Sequence, residues 1–286
     1  MKMTRKVIAI IAIVLGISGI VAFSFSKKFE KGVAQNVISK KAYSIEQQWE
    51  LPKILEEISG IAYFAPNRIA CVQDEDATIF IYDLEKEAIE KEIDFGGNGD
   101  YEALTVIEKD AFVLRSDGVL FEVKNFQNSP NIVEYDPGID HNVNFEGLCL
   151  SKEAQKLLMI TKDEDGNNDV RNIYSFDLES RTFDKEPFSR LEIEKGIFKN
   201  YEGSFRPSEI EINPATGEFY ILDGRNPRLL ILNSSLKVLE MLTFDKDEFA
   251  QPEGITFGNG KLFISNEAGK NAGNILQVQL NPENDG

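Results

Sequence analysis

Carboxylates are the groups in this sequence best able to do chemistry. Glu102, Glu146 and Glu253 each open a short apolar alternation: Glu102-Ala103-Leu104-Thr105-Val106, Glu146-Gly147-Leu148-Cys149-Leu150 and Glu253-Gly254-Ile255-Thr256-Phe257. Acidic or amide pairs recur further along, at Asp74-Glu75, Asp163-Glu164 and Asn266-Glu267. Oxygen-only donors of this kind select Ca²⁺, Mg²⁺ or Mn²⁺ over zinc. The one histidine, His141, and the two cysteines, Cys71 and Cys149, leave little for a zinc or iron centre or for a Ser-His-Asp or Cys-His hydrolase. Nor can two cysteines build a disulfide framework, and their places inside strand-like runs mark buried free thiols.

The elements that position those carboxylates come from an internal repeat. Two further segments share the pattern, Ser59-Gly60-Ile61-Ala62-Tyr63 and Ser208-Glu209-Ile210-Glu211-Ile212, which makes five. Their first residues are separated by 43, 44, 62 and 45 positions. Propeller blades repeat at about 40–50 residues, so three intervals fit and one carries an insertion. Each repeat continues with a second apolar run (Arg68 to Val72 in the first, Lys261 to Ile264 in the last) and a third (Thr78 to Tyr82, Asn274 to Val278). Short period-2 runs rich in Ile, Val, Phe and Tyr predict half-buried strands, and Asn213-Pro214-Ala215-Thr216-Gly217 and Gly258-Asn259-Gly260 predict the turns. The expected fold is therefore all-β, a propeller of five four-stranded blades. The last repeat stops soon after its third strand, so Ala42 to Leu51 is expected to close the ring as a clasp, with Trp49 packing it down. The insertion between Arg181 and Phe205 is too short for a sixth blade; its Leu191 to Phe198 stretch predicts an extended strand or a short helix.

In such a ring the first strand lines the channel, and the start of that strand lies beside the end of the next. Strand starts carry Glu57, Asp100, Glu102, Asn144, Glu146, Glu209 and Glu253. Strand ends carry Asp74, Glu75, Asp117, Asp163, Glu164, Asp223, Asn266 and Glu267. All then gather at one mouth, where like charges repel unless a cation joins them or their pKa values rise. Glu102, Glu146 and Glu253, with Glu75, Glu164 and Glu267, are the expected ligands of a calcium ion; solvated loop ends are the alternative reading. Asp163 to Asp169 imitates a calcium loop, but its glycine is fourth rather than sixth, which predicts a polar hairpin turn. Gly96-Gly97-Asn98-Gly99 lacks the lysine of a phosphate loop and predicts a connection between blades.

Residues 1–31 differ from the rest. Lys2, Arg5 and Lys6 precede an uncharged, mostly apolar run from Val7 to Phe25, and Lys27, Lys28 and Lys31 follow it. At 1.5 Å per residue that run reaches roughly 28 Å, close to a hydrocarbon core of about 30 Å. Val21-Ala22-Phe23-Ser24-Phe25 is a poor cleavage site, so one uncleaved transmembrane helix is expected, with a cleaved signal as the alternative. Residues 32–41 would be a linker and 42–286 the propeller, on the extracytoplasmic (periplasmic) side, because long domains translocate largely regardless of charge. Without residues 1–31 the chain holds 25 basic and 47 acidic residues, a net charge of −22. That argues against nucleic acid as a partner and favours bound cations, with plain solubility as the alternative reading.

The order of the motifs carries a resemblance. Ile58-Ser59-Gly60-Ile61 with Val72-Gln73-Asp74-Glu75, Gly99-Asp100-Tyr101-Glu102-Ala103-Leu104, Asn144-Phe145-Glu146-Gly147-Leu148 with Thr161-Lys162-Asp163-Glu164, and Pro252-Glu253-Gly254-Ile255 with Ser265-Asn266-Glu267 resemble the SdiA-regulated family over about residues 45–280. The resemblance implies a bacterial envelope protein with a five-bladed propeller and a calcium site, and names no reaction. Arg115-Ser116-Asp117 and Ala103 depart from the pattern in the second repeat. The expected function is a membrane-tethered calcium-binding propeller that recognises a small molecule or protein partner. The alternative is a metal-dependent hydrolase of a lactone or phosphate ester, with Arg115, Arg206 and Arg225 as candidates to hold phosphate.

Overall fold

The computed structural model describes residues 42–138, 143–163, 170–193, 198 and 204–281. The apolar N-terminal run, His141 and Glu164 lie outside the described residues, as does nearly all of the acidic Asp163 to Asp169 loop. Strand β1 (Tyr43–Glu50) comes first. The first blade is β2 (Ile58–Ala65), β3 (Arg68–Gln73), β4 (Thr78–Asp83) and β5 (Ala88–Asp94); the second is β6 (Tyr101–Ile107), β7 (Asp110–Arg115), β8 (Leu120–Lys124) and β9 (Asn131–Tyr135). The third contains β10 (Asn144–Ser151), β11 (Lys156–Asp163), β12 (Val170–Asp177), β13 (Thr182–Phe183) and β14 (Ser189–Glu192). The fourth is β15 (Pro207–Ile212), β16 (Phe219–Asp223), β17 (Arg228–Leu232) and β18 (Val238–Thr243). The fifth joins β19 (Pro252–Gly258), β20 (Lys261–Asn266) and β21 (Asn274–Leu280) to β1, which pairs antiparallel with β21. This is an all-β propeller of five blades.

Burial falls from the channel outward. Nearly every residue of β3 and β4 is buried, whereas β5 is exposed at most positions. An inner strand has a blade on each side, so both of its faces are covered and its sequence is almost continuously apolar. The cores accordingly lie between blades rather than at one centre. Val72, Ile81, Leu104 and Val113 join blades one and two, while Cys149, Ile160, Ile210 and Ile221 join blades three and four. Trp49 is buried among Phe80, Phe263 and Ile275, and its Nε1 donates to the Leu84 carbonyl at 2.8 Å. Cys71 and Cys149 are free and buried in different cores. The insertion extends the third sheet, since β14 pairs with β12 beyond the two-residue β13.

Turn chemistry fixes the hairpins. Asn259 and Gly260 both have positive φ, 50° and 73°, as a two-residue type I′ turn between β19 and β20 requires. The innermost strands touch in sequence, β2 to β6, β6 to β10, β10 to β15, β15 to β19 and β19 to β2, which closes the ring. Their approach is tight. A Cβ on Gly147 would lie 2.6 Å from the Ile210 nitrogen, and one on Gly60 would lie 2.8 Å from the Ala103 Cα. Both clashes are with backbone, which cannot swing away. Gly147→Ala is expected to cost about 1–3 kcal/mol, whereas Gly97→Ala, with open space around it, should stay within about 0.5 kcal/mol. Urea unfolding of the two variants beside the wild type checks this.

Candidate cation site at the channel mouth

One irregularity recurs in every blade and builds the site. The pairing of first and second strands slips by a residue at Ser59, Glu102, Glu146, Ser208 and Glu253. Ile58 faces Gln73 but Gly60 faces Val72; Phe145 faces Thr161 but Gly147 faces Ile160. Each slip is a β-bulge, which leaves one residue without a cross-strand partner and re-aims its side chain. These five residues are the first residues of the five sequence repeats. The two serines bind the next blade: Ser59 Oγ donates to the Tyr101 carbonyl at 2.6 Å, and Ser208 Oγ to the Pro252 carbonyl at 2.8 Å. The three glutamates instead lie near enough for their charges to act on one another.

Their electrostatics report that convergence. Burial raises the Glu102 carboxyl far above the usual range, and Glu146, Asp100 and Glu253 raise it further. Burial also raises Glu253, followed by the charges of Glu146 and Glu267. Glu146 is only 1% exposed and is raised by burial, but a lysine holds it back. Lys162 Nζ sits 2.7 Å from Glu146 Oε1, which also accepts from Asn144 Nδ2 at 2.9 Å. The Lys162 charge reaches Glu102, Glu253 and Glu267 as well. Three carboxylates and one ammonium leave a formal charge of −2.

Lys162 was not among the expected site residues. A second slip, between Asn144 and Phe145, makes Lys162 the unpaired residue of β11 and turns it inward. The register also realigns the strand ends. Gln73, Arg115, Thr161, Asp223 and Asn266 occupy equivalent positions opposite the residue before each bulge. The next residues are Asp74, Ser116, Lys162, Gly224 and Glu267. Glu267 is thus the counterpart of Asp74 and not of Glu75. One residue of offset changes which way a side chain points: Glu267 is half-buried and bonded to Gln251, whereas Glu75 is exposed. Gly224 leaves room for its neighbour, since a Cβ there would lie 2.9 Å from Glu253 Oε1.

Glu209 takes another course. It occupies the position after the bulge, where the other blades have Gly or Ala, and its carboxylate enters the seam between blades three and four. Oε1 accepts from the Leu148 nitrogen at 2.7 Å and the Ile210 nitrogen at 2.9 Å, in space that Gly147 leaves free. Burial pushes its pKa well up. Its bonded oxygen serves the seam, while the charge of Glu146 still acts on it. Arg115 is held by Asp117 at 2.8 Å and Arg225 is exposed. The charge of Arg206 acts on the cluster through Glu146.

The donor chemistry fits a hard divalent cation. The groups at the mouth are carboxylates with the Asn144 amide and the Lys162 ammonium, and buried oxygens of Asp74 and Asn266 have no hydrogen-bond partner among the described residues. As they stand, the described carboxylates do not include three in metal-coordinating array. The family model for SdiA-regulated proteins matches residues 35–271. The chain belongs to the SdiA-regulated family. No curated protein sequence matches it. Among solved structures, this SdiA-regulated propeller is similar to the glutaminyl cyclase of Myxococcus xanthus, with a TM-score of 0.62 at 13% identity, covering 84% of this chain and 96% of that one. It is also similar to the PQQ-bound aldose sugar dehydrogenase of Streptomyces coelicolor, with a TM-score of 0.52 at 11% identity over 84% and 98% of the two chains. Likeness at those identities is one of fold.

The raised carboxyls of the SdiA-regulated propeller set a pH dependence. Burial, then Glu57, Glu75 and Asp100, lifts Asp74 from 3.8 to about 6; burial, then Asp74 and Glu57, lifts Glu267 from 4.5 to about 7. A carboxyl raised in the folded state binds more protons there than in the unfolded state, so stability falls as pH rises across that gap. Without divalent cations, the urea midpoint is expected to drop between about pH 4 and pH 7, and the drop should shrink in Glu267→Gln. Midpoints measured across that range in chelator provide the check.

Proposed function

We propose that this protein is a membrane-tethered, extracytoplasmic propeller that binds one calcium ion at the channel mouth and uses that mouth to recognise a ligand or partner. The observation that carries the reading is the convergence of three bulge carboxylates, Glu102, Glu146 and Glu253, against a single ammonium. A divalent cation neutralises the remaining charge of −2, and an all-oxygen shell drawn from different blades suits calcium, which accepts six to eight ligands in irregular geometry. Glu267, whose charge acts on Glu253, would complete that shell through water. The ion supplies positive charge at the mouth and a coordination site for an oxygen-bearing ligand. Lys162 then acts as the internal competitor, holding Glu146 when calcium is scarce.

Tethering rests on the sequence of residues 1–31, and β1 would serve as the clasp that joins the tether to the ring. Among the described residues no helix is long and apolar enough to cross a membrane. The full-length protein is expected to fractionate with membranes, and deletion of residues 1–31 to release a soluble domain; intact full-length protein in the soluble fraction would count against the tether.

Calcium binding is testable by melting in chelator and in excess calcium at pH 7.5. Binding to the folded state alone stabilises by about 2.7 kcal/mol at a hundredfold excess over Kd. The wild type should gain several degrees, Glu146→Gln most of that less, and Lys162→Met more than the wild type because the competing ammonium is gone. No response of chelated wild type to millimolar calcium would sink the reading.

A further inference from the structure

The channel also holds a cavity of about 620 Å³, none of whose lining residues belongs to the glutamate cluster. Ala62, Thr105, Glu211 and Thr256 line it, each three residues past the bulge of its own blade. At about 3.3 Å per residue, that places the cavity roughly 10 Å along the channel from the glutamate cluster. The residues that come next in the inner strands, Tyr63, Val106, Leu150, Ile212 and Phe257, form an apolar ring around it. All five are only half-buried, so the ring leaves apolar surface open to the cavity.

Within that ring Glu211 is the one acid contributed by an inner strand. Its Oε1 accepts from the Ile212 nitrogen at 2.8 Å, and among the described residues no cation pairs with it. Lys152 lies exposed on the rim, near enough for its charge to be felt but not in ion-pair contact. The Thr256 hydroxyl is occupied as acceptor from the Tyr63 nitrogen at 3.0 Å. Burial lifts the Glu211 carboxyl to about 7, the mark of a carboxylate short of compensating charge. An anionic ligand would meet Glu211 and the net charge of the domain. A wholly apolar one would leave the carboxylate covered and unpaired, which costs free energy. A ligand with an ammonium at one end and an apolar body at the other satisfies both features.

We propose that this cavity binds an amphipathic organic amine, its ammonium on Glu211 and its apolar body against Val106, Leu150, Ile212 and Phe257. The proposal is independent of calcium at the opposite mouth, because none of the lining residues belongs to the glutamate cluster. The cavity is then a second binding site, at the opposite end of the channel from the mouth.

The test is calorimetric titration of the tag-free soluble domain, residues 32–286, with hexylamine, hexanol and hexanoate in saturating calcium. Thermal melting first confirms that the domain and every variant are folded. Hexylamine is expected to bind with 1:1 stoichiometry and at least tenfold more tightly than hexanol, while hexanoate gives no heat. Glu211→Gln should lower the affinity for the amine at least tenfold and leave that for the alcohol unchanged. Val106→Trp, which fills the cavity, should abolish both, and Glu146→Gln should change neither. Amine affinity untouched by Glu211→Gln and Val106→Trp would overturn the proposal. So would loss of amine binding in Glu146→Gln, which would place the amine at the acidic mouth, and so would absence of amine binding by folded wild type.

Discussion

Five inner strands crowd one axis so closely that a single methyl group added at Gly147 would press on the Ile210 nitrogen at 2.6 Å. That crowding decides the rest. A small residue must follow each bulge wherever the neighbouring backbone crosses it, and the bulged residue is left with its side chain free of the sheet. Serine at that place fastens one blade to the next through a carbonyl, as Ser59 and Ser208 do. Glutamate there cannot be absorbed by the seam and is sent to the channel. The blade contacts and the acidic mouth thus have one origin.

The mouth carries an electrostatic debt that the fold itself meets only in part. Lys162 offsets one of the three bulge carboxylates, and burial keeps the others reluctant to ionise. Glu209 shows how differently a carboxyl fares when backbone N–H groups receive it, since two such donors hold one of its oxygens inside the seam. The contrast lies in the number of fixed donors, not in residue type. On the proposed reading the cluster calls for a mobile cation, whereas Glu209 is taken up by the scaffold.

Much of this was legible in the sequence because the repeat aligns residues that the structure makes equivalent. The five segment openers fall on the five bulges, and the second and third apolar runs match the second and third strands of their blades to within two residues at their starts. Gly258-Asn259-Gly260 was readable as a turn because asparagine and glycine tolerate positive φ. The register at the far end of each second strand was not readable. There Glu267 matches Asp74, and grouping it with Glu75 misses by one residue because short acidic runs offer no apolar marker. Lys162 escaped notice for the same reason: its inward aim depends on a second slip that leaves no pattern in composition. Glu209 looked like a mouth carboxylate, and only the space left by Gly147 reveals where it goes.

The central claim is that the bulge carboxylates complete their charge balance with a divalent cation. Anomalous diffraction from crystals of residues 42–286 grown with manganese as a calcium surrogate addresses it most directly. The account expects one strong peak at the channel mouth, within about 2.0–2.6 Å of oxygens from Glu102, Glu146 and Glu253, with the Lys162 ammonium displaced from Glu146. A well-ordered mouth without such a peak, with Lys162 still on Glu146 at saturating metal, would contradict it.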